Sequence, residues 1–541
     1  MIRAHILLTF FTATLLTAAS AQSPALTPGE LRATRAFNAA KTMGPGELYA
    51  LLEPMPKGAD LHMHLSGAVY AESFIAEAMQ QGLCINPFAL KFTPPASNPT
   101  PADPCLAHDD IPSAAVLNSY QIIANGLTGQ AFYDKLIDAF SMRSFVPTSG
   151  FDGHDQFFST FDRFNGLKEY TAQWLDEVAT RAARQNEQYL EIMITPPFNR
   201  ASALAYKLGR PIGIDDANHM RAFAKIREAL LAAGLRDEVA ADSLKIAAAR
   251  TTQLQIERCG TPAATPACAV NIHFLYQVLR AFPPQQVFAQ TLLGFETIDA
   301  EAKSGHPNFV GINFVQPEDD RVAMQDYHLQ MLMLDYLHSV YPNVRISLHA
   351  GELAPGLVPP DGLSFHIREA INLGHASRIG HGVDVLYEDH PTALLKEMAA
   401  KHIMVEINLT SNQGILGISG KAHPLAAYRA ARVPVSLSTD DEGVSRIDLT
   451  HEYVKAAEEQ SLTYVDLKSM ARTSLEHAFL PGDSLWSATD NFTLPRPACA
   501  APITPVSLPT TACAAFLKKS ERAFEQWQME HRFALFEASM Q

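Results

Sequence analysis

The sequence predicts an α/β fold, a (β/α)8 barrel of the TIM type with long insertions and an extra C-terminal helix. Two observations predict it. Short apolar runs rich in β-branched residues alternate with helical patterns, which is typical of buried parallel strands separated by helices. Polar residues able to carry chemistry follow four of these runs, at the strand end where barrel active sites form. The chain has 541 residues, 47% of them hydrophobic and 18% charged, which is enough for one large domain.

Seven of the runs are predicted as strands, and a weaker eighth strand is placed at Gln156–Phe161. The seven are Ala59–Leu65, Tyr189–Thr195, Phe309–Val315, Val344–Ala350, Ser377–Gly382, Ile403–Leu409 and Val433–Asp440. The intervals between them are uneven, and the long ones are rich in proline and alanine. We therefore predict one barrel over residues 56–482, with insertions at about 82–150 and 200–270 rather than separate domains.

The N-terminus has the pattern of a secretory signal peptide. Arg3 precedes a short apolar run, which ends in the small-residue cleavage pattern Ala19-Ser20-Ala21. The alternative is a membrane anchor, but the run is shorter than the roughly 18 residues that a spanning helix needs. We expect residues 1–21 to be removed and the mature protein to be periplasmic or secreted, without membrane attachment.

The two ends of the mature chain flank the barrel. Residues 22–55 are interpreted as an N-terminal segment, and residues 483–541 as a proline-rich loop followed by a helix. In that helix four apolar side chains are predicted to share one face: Phe516, Phe524, Trp527 and Leu535. We expect this face to pack on the barrel wall rather than bind a partner.

The six cysteines fall into three couples that are close in sequence. Exported proteins form disulfides, so each couple is interpreted as a bridge that closes a local loop. The expected pairs are Cys84–Cys105, Cys259–Cys268 and Cys499–Cys513. Metal-binding thiolates are a weak alternative because the sequence contains no CxxC pair.

The charge balance bears on the partner. Lysine and arginine number 42 and aspartate and glutamate 57, so the formal net charge is 42 − 57 = −15. Binding to nucleic acid or to an anionic membrane requires clustered basic residues, which the sequence lacks. A small molecule is the expected partner, and a homodimer is left open.

The strongest local signal is the run Asp60-Leu61-His62-Met63-His64-Leu65. Residues two apart in a strand share a face, so His62 and His64 point the same way. Two imidazoles at this spacing can hold one metal ion. The alternative is a pair of incidental histidines.

Three later strand ends add further candidates. His349 is followed by Glu352, His381 lies between two glycines, and Asp440 and Asp441 end the last run. A carboxyl group near a metal can serve as a proton donor. Taken singly, each has a structural alternative, such as a hydrogen-bonded core histidine or a helix cap. Together the four strand ends supply His/His, His, His and Asp in order, which indicates one metal site.

Seven segments carry a resemblance to a known family. They are PKGADLHMHLSGA (56–68), YLEIMIT (189–195), SLHAGE (347–352), SRIGHG (377–382), VEINLTSN (405–412), HPLAAYRAARVPVSLSTDD (423–441) and LEHAFLPG (475–482). They resemble the adenosine/AMP deaminase family of the metal-dependent amidohydrolase superfamily. HAGE, RIGHG and STDD in this order are highly specific. The export signal and the insertions resemble the exported, growth-factor-like branch of that family.

The resemblance implies a role for each candidate. One zinc ion per chain would be held by four ligands: His62, His64, His349 and Asp440. Glu352 would donate a proton to N1 of a purine ring. His381 would orient the attacking water and accept a proton from it, and Asp441 would hydrogen-bond N7. The ligand set suits zinc, although other divalent ions remain open.

Three positions depart from the family pattern. Ser66 stands where the compact enzymes carry an aspartate that contacts ribose. Gln316 stands where the family has a glycine whose backbone contacts the purine, and Glu442 replaces a frequent proline. Ser66 and Gln316 are therefore candidate substrate contacts with altered chemistry, whereas the metal set is unaffected.

The expected function is an exported zinc-dependent hydrolase that converts adenosine or deoxyadenosine to inosine or deoxyinosine and ammonia. One alternative is a deaminase of another purine, such as adenine or an N6-substituted adenosine. The other is an exported zinc- or nucleoside-binding protein without catalysis. Glu352 favours an enzyme, because a binding protein needs no proton donor beside the metal.

Overall fold

Eight parallel strands form one sheet that curls into a barrel, which confirms the predicted fold class. This computed structural model describes residues 26–93, 122–123, 127–167, 170–305 and 307–540. In chain order the strands are β1 (Gly58–His64), β2 (Glu187–Ile194), β3 (Asn271–Leu279), β4 (Phe309–Val315), β5 (Arg345–Ala350), β6 (Arg378–His381), β7 (Met404–Ile407) and β8 (Val435–Leu437). Each strand pairs with the next.

Backbone hydrogen bonds between the first and last strands close the barrel. The Asp440 N–H donates to the His62 carbonyl at 2.8 Å, and the His64 N–H donates to the Asp440 carbonyl at 3.0 Å. Asp440 lies three residues after β8. Closure of the barrel therefore places this carboxylate beside both histidines of β1.

The seven predicted strands are confirmed, but the weaker eighth strand is wrong. Gln156–Phe161 lies within the helix Gly153–Phe164. Asp152 and Asp155 form a capping box at its start, and its phenylalanines recur at helical spacing. The missing strand is β3, which follows the second insertion directly. Polar residues such as Gln277 interrupt its apolar run, because the strand end faces a cavity.

Helices pack around the barrel. The principal ones within the barrel region are Ala71–Gln81, Thr171–Arg184, Pro284–Ser304, Arg321–Val340, His366–Asn372, Pro391–Ala400, Leu425–Ala431, Leu449–Glu459 and Tyr464–His477. Short helices at strand ends are Leu65–Ala68, Leu409–Leu416 and Glu442–Ser445. The 3-10 turns are Pro266–Ala269, Pro360–Leu363, Gly420–Ala422 and Pro497–Cys499. Buried apolar side chains of these helices and of the strands form one continuous core.

The regions predicted as insertions contain their own elements. The first holds the hairpin Cys84–Asn86 with Lys91–Thr93, the short pair Ile122–Ile123 with Leu127–Thr128, and the helix Gly129–Ala139. The second holds the helices Asn199–Leu208, His219–Ala232 and Arg236–Ile256. The last of these packs against Thr171–Arg184 and Pro284–Ser304, next to the barrel.

The two ends of the described chain also pack on the barrel. The N-terminal helices are Pro28–Met43 and Pro45–Leu52, and their buried side chains join the core. The C-terminal part has the hairpin Trp486–Ala488 with Asn491–Pro495, then the helices Thr511–Leu517 and Glu521–Ser539. None of the helices in the described ranges combines the length and apolarity needed to cross a bilayer. The predicted signal peptide, residues 1–21, lies outside the described residues.

The predicted apolar face of the C-terminal helix is wrong in three of its four members. Phe524 and Leu535 are 43% and 46% exposed, whereas Trp527 is buried. Phe516 belongs to the preceding helix. The side chains of this helix that join the barrel core are Met529, Phe533 and Phe536, whereas Trp527 packs in a separate cluster with Leu485 and Trp486.

Two of the three predicted disulfides are confirmed. Cys259–Cys268 and Cys499–Cys513 are bridged, with Cα atoms 5.5 and 4.7 Å apart. The predicted Cys84–Cys105 pair includes Cys105, which lies outside the described residues. Both confirmed bridges close short loops, as the sequence spacing predicts.

A buried network of ion pairs crosses the barrel below the carboxyl ends of its strands. Arg378 on β6 binds Glu191 on β2 through Nη1 (2.7 Å) and Glu406 on β7 through Nε (2.7 Å). Its guanidinium also lies over the Phe479 ring, 3.8 Å from the centroid. Ser347 donates a further hydrogen bond to Glu406. The network ties four strands, β2, β5, β6 and β7, together in the buried interior.

Replacing Arg378 with methionine is expected to lower the free energy of unfolding by about 3–5 kcal/mol, since two buried carboxylates would lose their counter-charge. Arg184→Met is the matched control, because Arg184 is 67% exposed in its ion pair with Glu53 and should cost under about 1 kcal/mol. Urea unfolding followed by circular dichroism measures both. Equal midpoints for the two variants would contradict the structural role of Arg378.

Candidate active site

Four predicted ligands converge at the carboxyl ends of three strands. The Nε2 atom of His349 lies 3.1 Å from that of His62 and 3.2 Å from that of His64. The Asp440 Oδ1 atom lies 3.3 Å from both His62 Nε2 and His64 Nε2. Zinc with bonds of about 2.0–2.1 Å to four tetrahedral ligands would separate their atoms by about 3.3–3.4 Å. The donor set therefore fits zinc in both type and spacing.

Each ligand has a partner that leaves the correct atom free. The Nδ1 atom of His62 bonds Glu406 at 2.7 Å, that of His64 bonds Gln277 at 3.1 Å, and that of His349 bonds Asn313 at 2.8 Å. Because these oxygens accept hydrogen bonds, each ring carries its proton on Nδ1 and offers the Nε2 lone pair. Such partners orient a ligand and raise its basicity.

Asp440 is placed by an uncommon backbone conformation. Its φ is 62°, a value that costs energy for a residue with a side chain. The barrel-closing bonds to β1 hold it there, and Ser411 donates to its Oδ2 at 2.6 Å. Oδ1 is thereby left toward the histidines. On β6, a Cβ at Gly380 would lie 2.5 Å from the His62 ring, so the position of that ring requires glycine there.

Glu352 lies in the same cavity, just after β5. Gly351, at φ 75°, makes the turn that brings it there. Burial, followed by the charges of Asp440 and Glu318, raises the pKa of the Glu352 carboxyl well above its usual range. A raised pKa favours the protonated form of the carboxyl, which is the form that a proton donor requires.

The backbone of Glu352 is held by a buried glutamate. Glu318 accepts hydrogen bonds from the backbone N–H groups of Gly351 (3.0 Å) and Glu352 (2.8 Å). Burial alone would raise the pKa of Glu318, but His366 at 2.6 Å and the nearby Arg280 lower it to about 2. Glu318 thus carries a fixed charge and positions the turn.

His381 faces this site and is oriented by a chain of hydrogen bonds. The Leu425 N–H donates to His423 Nδ1 at 3.2 Å, so neutral His423 donates from Nε2 to the Asn412 oxygen at 3.1 Å. The Asn412 amide can then donate to His381 Nδ1 at 2.9 Å. Burial lowers the pKa of His381 to about 3, and its single acceptor nitrogen is already used. Both predicted roles of His381, orienting the attacking water and accepting its proton, stay predictions.

Asp441 and Ser66 also border the cavity. Asp441 is buried, and its Oδ1 has no hydrogen-bond partner among the described residues. Burial, followed by the charge of Asp440, raises the pKa of Asp441 well above its usual range. Gly67 leaves room for it, since a Cβ there would lie 1.5 Å from Oδ1. The raised pKa favours the protonated form of Asp441, and its unused oxygen suits a hydrogen bond with a ligand nitrogen.

Gln316 lines the cavity at the end of β4. Its φ is 85°, the left-handed conformation that glycine adopts most easily. Its side-chain oxygen accepts a hydrogen bond from the Ala281 N–H at 2.9 Å. The side-chain oxygen is thus committed to the scaffold, and the backbone keeps a glycine-like shape at this position.

The cavity beside the predicted ligands has a volume of about 580 Å³. Its far wall is aromatic: Phe157, Phe158, Phe161 and Phe164 from the helix Gly153–Phe164, with Phe74 and Trp174. His154 at the start of this helix bonds Asp319 at 2.9 Å, which ties the helix to the loop after β4. The wall covers the site and limits its contact with water.

Sequence reasoning missed the partners of the ligands. Glu406, Asn412 and His423 lie in segments that carry the family resemblance, yet no role was predicted for them. The carboxylate of Glu406 within an apolar strand was a usable signal, whereas Asn412 lies in a short helix and His423 just before another. Gln277 and Asn313 gave no such signal, because β3 was not recognised and an asparagine within an apolar strand has many explanations.

Part of the chain matches a family model. Residues 328–491 match the model described as adenosine deaminase. The chain is 35% identical over 136 residues to an adenosine deaminase of Shewanella loihica, and 38% identical over 138 residues to one of Serratia proteamaculans. Each match covers 25% of this chain and 38% of the relative. The matched part thus spans well under half the length of these relatives.

Two solved structures to which the chain is similar are described as deaminases. An adenine deaminase from Arthrobacter aurescens matches with 15% identity and a TM-score of 0.47, over 79% of this chain and 94% of that chain. An N6-methyl-AMP deaminase from Arabidopsis thaliana matches with 18% identity and a TM-score of 0.48, over 80% of this chain and 94% of that chain.

Proposed function

Because the chain belongs to the adenosine/AMP deaminase family of the amidohydrolase superfamily, we propose that it is a metal-dependent hydrolase that removes the 6-amino group of adenosine-like purines. The proposed substrates are adenosine and deoxyadenosine, and the products are inosine or deoxyinosine and ammonia. One observation carries the proposal: three imidazole nitrogens and the Asp440 carboxylate converge beside the protonated carboxyl of Glu352.

The four ligands prepare the site for hydrolysis at neutral pH. When bound at these ligands, zinc would lower the pKa of the water that it coordinates from about 15.7 to about 7. His62, His64 and His349 present lone pairs fixed by their Nδ1 partners, so little reorganisation is needed. His381 orients the attacking water through the hydrogen bond that its ring can donate.

Glu352 moves the proton that the ring needs. Attack of water at C6 builds negative charge on N1, and the Glu352 carboxyl donates its proton there as the C6–O bond forms. The attacking water gives up both of its protons: one passes to N6, so that the C6–N6 bond breaks and ammonia leaves, and the other returns to the Glu352 carboxylate as the C6=O group of the product forms. Asp441, protonated and with an unused oxygen, donates a hydrogen bond to N7 and sets the ring plane.

The two alternatives differ from this proposal in observable ways. A deaminase of adenine or of an N6-substituted adenosine would use the same machinery on another purine. A binding protein without catalysis would leave every purine unchanged, but the buried, protonated Glu352 is costly to maintain without a use.

The test is turnover of purines by the zinc-loaded protein. We expect ammonia release, and the fall in ultraviolet absorbance that accompanies conversion of adenosine to inosine, with adenosine and deoxyadenosine preferred over adenine. A preference for adenine or an N6-substituted adenosine would replace the proposed substrate. Failure to release ammonia from any of them would overturn the proposed function.

Export is part of the proposal. The two disulfides support it, because such bridges persist in oxidising compartments. The signal-like N-terminus agrees with it. Recovery of the full-length chain, with residues 1–21 still attached, from the cytoplasm of its host would contradict it.

A further inference from the structure

A second cavity adjoins the active site and is built partly by the second insertion. It has a volume of about 200 Å³ and shares Ser66, Trp174 and Gln277 with the main cavity. Its outer wall is the helix Arg236–Ile256, which contributes Asp242 among others. The side cavity therefore opens at Ser66, where the chain lacks the aspartate found in the compact relatives.

Asp242 is an unusual residue for such a wall. It is only 1% exposed, and its single hydrogen bond given by the described residues comes from the Tyr276 hydroxyl at 3.3 Å. A carboxylate can accept about four hydrogen bonds, so most of its capacity is unused by that long contact. Buried polar groups are usually hydrogen-bonded, so the unused acceptors of Asp242 are available to a ligand in the cavity.

The helix that carries Asp242 is firmly anchored. Arg236 makes a two-pronged ion pair with Glu296, at 2.9 Å for each nitrogen. Glu238 accepts hydrogen bonds from the backbone N–H groups of Arg200 (3.0 Å) and Ala201 (2.8 Å). The position of Asp242 is thus fixed before any ligand arrives, which lowers the entropic cost of binding.

The two extensions of the site offer different polar groups. The main cavity is lined by aromatic rings, whose one polar atom, Trp174 Nε1, is bound to Glu77 at 2.7 Å, and by Asp162 and Asn165. The side cavity presents the Ser66 hydroxyl and the Asp242 carboxyl among mostly apolar side chains, and Lys245 also lines it. Sugar hydroxyls lose affinity unless they are hydrogen-bonded, and Asp242 supplies a buried carboxyl with spare acceptors in the cavity that Ser66 also lines.

Resting on the proposed function, we propose that the side cavity is the sugar subsite and that Asp242 accepts a hydrogen bond from a ribose hydroxyl of a purine nucleoside. The second insertion thereby supplies, from a different element, the carboxylate that the chain lacks at Ser66. The base lies at Glu352 and Asp441, and the sugar passes Ser66 and Gln277 to reach Asp242. The site would thus select nucleosides over free bases.

The test is deamination of adenosine and of its 2′-, 3′- and 5′-deoxy analogues. Asp242→Asn is expected to lower kcat/KM for adenosine by about 10- to 100-fold when assayed above pH 7, because burial raises the pKa of Asp242 to about 7 and only the ionised carboxyl makes the stronger charged hydrogen bond. For the analogue that lacks the recognised hydroxyl, the variant and the wild type should have similar kcat/KM. Adding Ser66→Asp to the Asp242→Asn variant should restore part of the adenosine activity.

Asp237→Asn is the matched control on the same helix, since Asp237 is 68% exposed and pairs with Arg200 outside the cavity. Zinc content and thermal unfolding show that each variant is folded. Equal loss on all four nucleosides, or a loss no larger than in Asp237→Asn, would overturn the inference while leaving the proposed function intact. If the wild type deaminates none of the four, the proposed function itself fails and the inference with it.

Discussion

Replacing Glu352 with glutamine is expected to lower kcat for adenosine by about 10²–10⁴-fold, the usual range for loss of a general acid. Glutamine keeps the shape of the side chain but cannot give up a proton to N1. The four metal ligands are untouched, so zinc content should stay at the wild-type level. Stopped-time ammonia assays and metal analysis of the same sample measure both quantities.

The pH profile adds a second reading of the same residue. Only the protonated carboxyl is active, and the pKa of Glu352 is raised, so wild-type kcat/KM should fall as pH rises through that pKa. Glu352→Gln should lack this fall. Glu397→Gln, on the outer helix Pro391–Ala400, is the control and should keep it. A near-normal rate in Glu352→Gln would show that another group protonates the ring.

The candidate ligands could be predicted from sequence because their geometry follows from strand rules. His62 and His64 share a face by the two-residue period of a strand, and His349 ends a predicted strand. Parallel strands bring their carboxyl ends to one rim, whatever the sequence between them. Distance along the chain therefore did not hide the site.

What surrounds the ligands could not be predicted in the same way. The bond of Glu318 to Glu352 and the chain from His423 to His381 depend on where loops fold back, which no local period encodes. Asp242 is harder still, because its helix belongs to an insertion whose docking depends on tertiary contacts. Local pattern predicts elements, whereas the partners between elements come from packing.

The error at Gln156–Phe161 has the same origin. A short run of phenylalanines fits a strand or a helix, and only the Asp152–Asp155 capping box distinguishes them. The resulting helix forms the cover of the cavity instead of a barrel strand. β3 was missed because its end carries Gln277, a polar residue that faces the cavity and bonds His64. A polar residue that faces the cavity therefore interrupts the apolar pattern of β3.

Glu318 and Arg280 hold the end of β5, which carries the candidate ligand His349 and, just after it, Glu352. Arg280 Nη2 lies 3.9 Å from Glu318 Oε2. The Arg280 guanidinium also donates hydrogen bonds to the His349 carbonyl at 3.1 Å and to the Gln316 carbonyl at 3.2 Å. Glu318 in turn holds the backbone of Glu352. One buried charge pair therefore fixes the metal end, the acid and the cavity wall relative to one another, which catalysis by positioning requires.

Removing one metal ligand is expected to abolish both zinc binding and turnover. Losing merely an outer partner of a ligand typically costs about 10–100-fold in metal affinity, so His349→Ala or Asp440→Ala should cost more. Zinc should fall from about one ion per chain to near zero after dialysis. In the wild type, a chelator should abolish activity, and added zinc should restore it.

His375→Ala is the control, because His375 bonds Asp335 at 2.8 Å on the outside of the barrel. It should keep wild-type zinc and turnover, which separates loss of a metal ligand from loss of any buried or paired histidine. The Nε2 atom of His349 lies close to the Nε2 atoms of both His62 and His64, so the His349→Ala variant loses a central member of the candidate ligand set. A His349→Ala protein that keeps its zinc and its rate would show that the ion is bound elsewhere, and it would contradict the proposed ligand set.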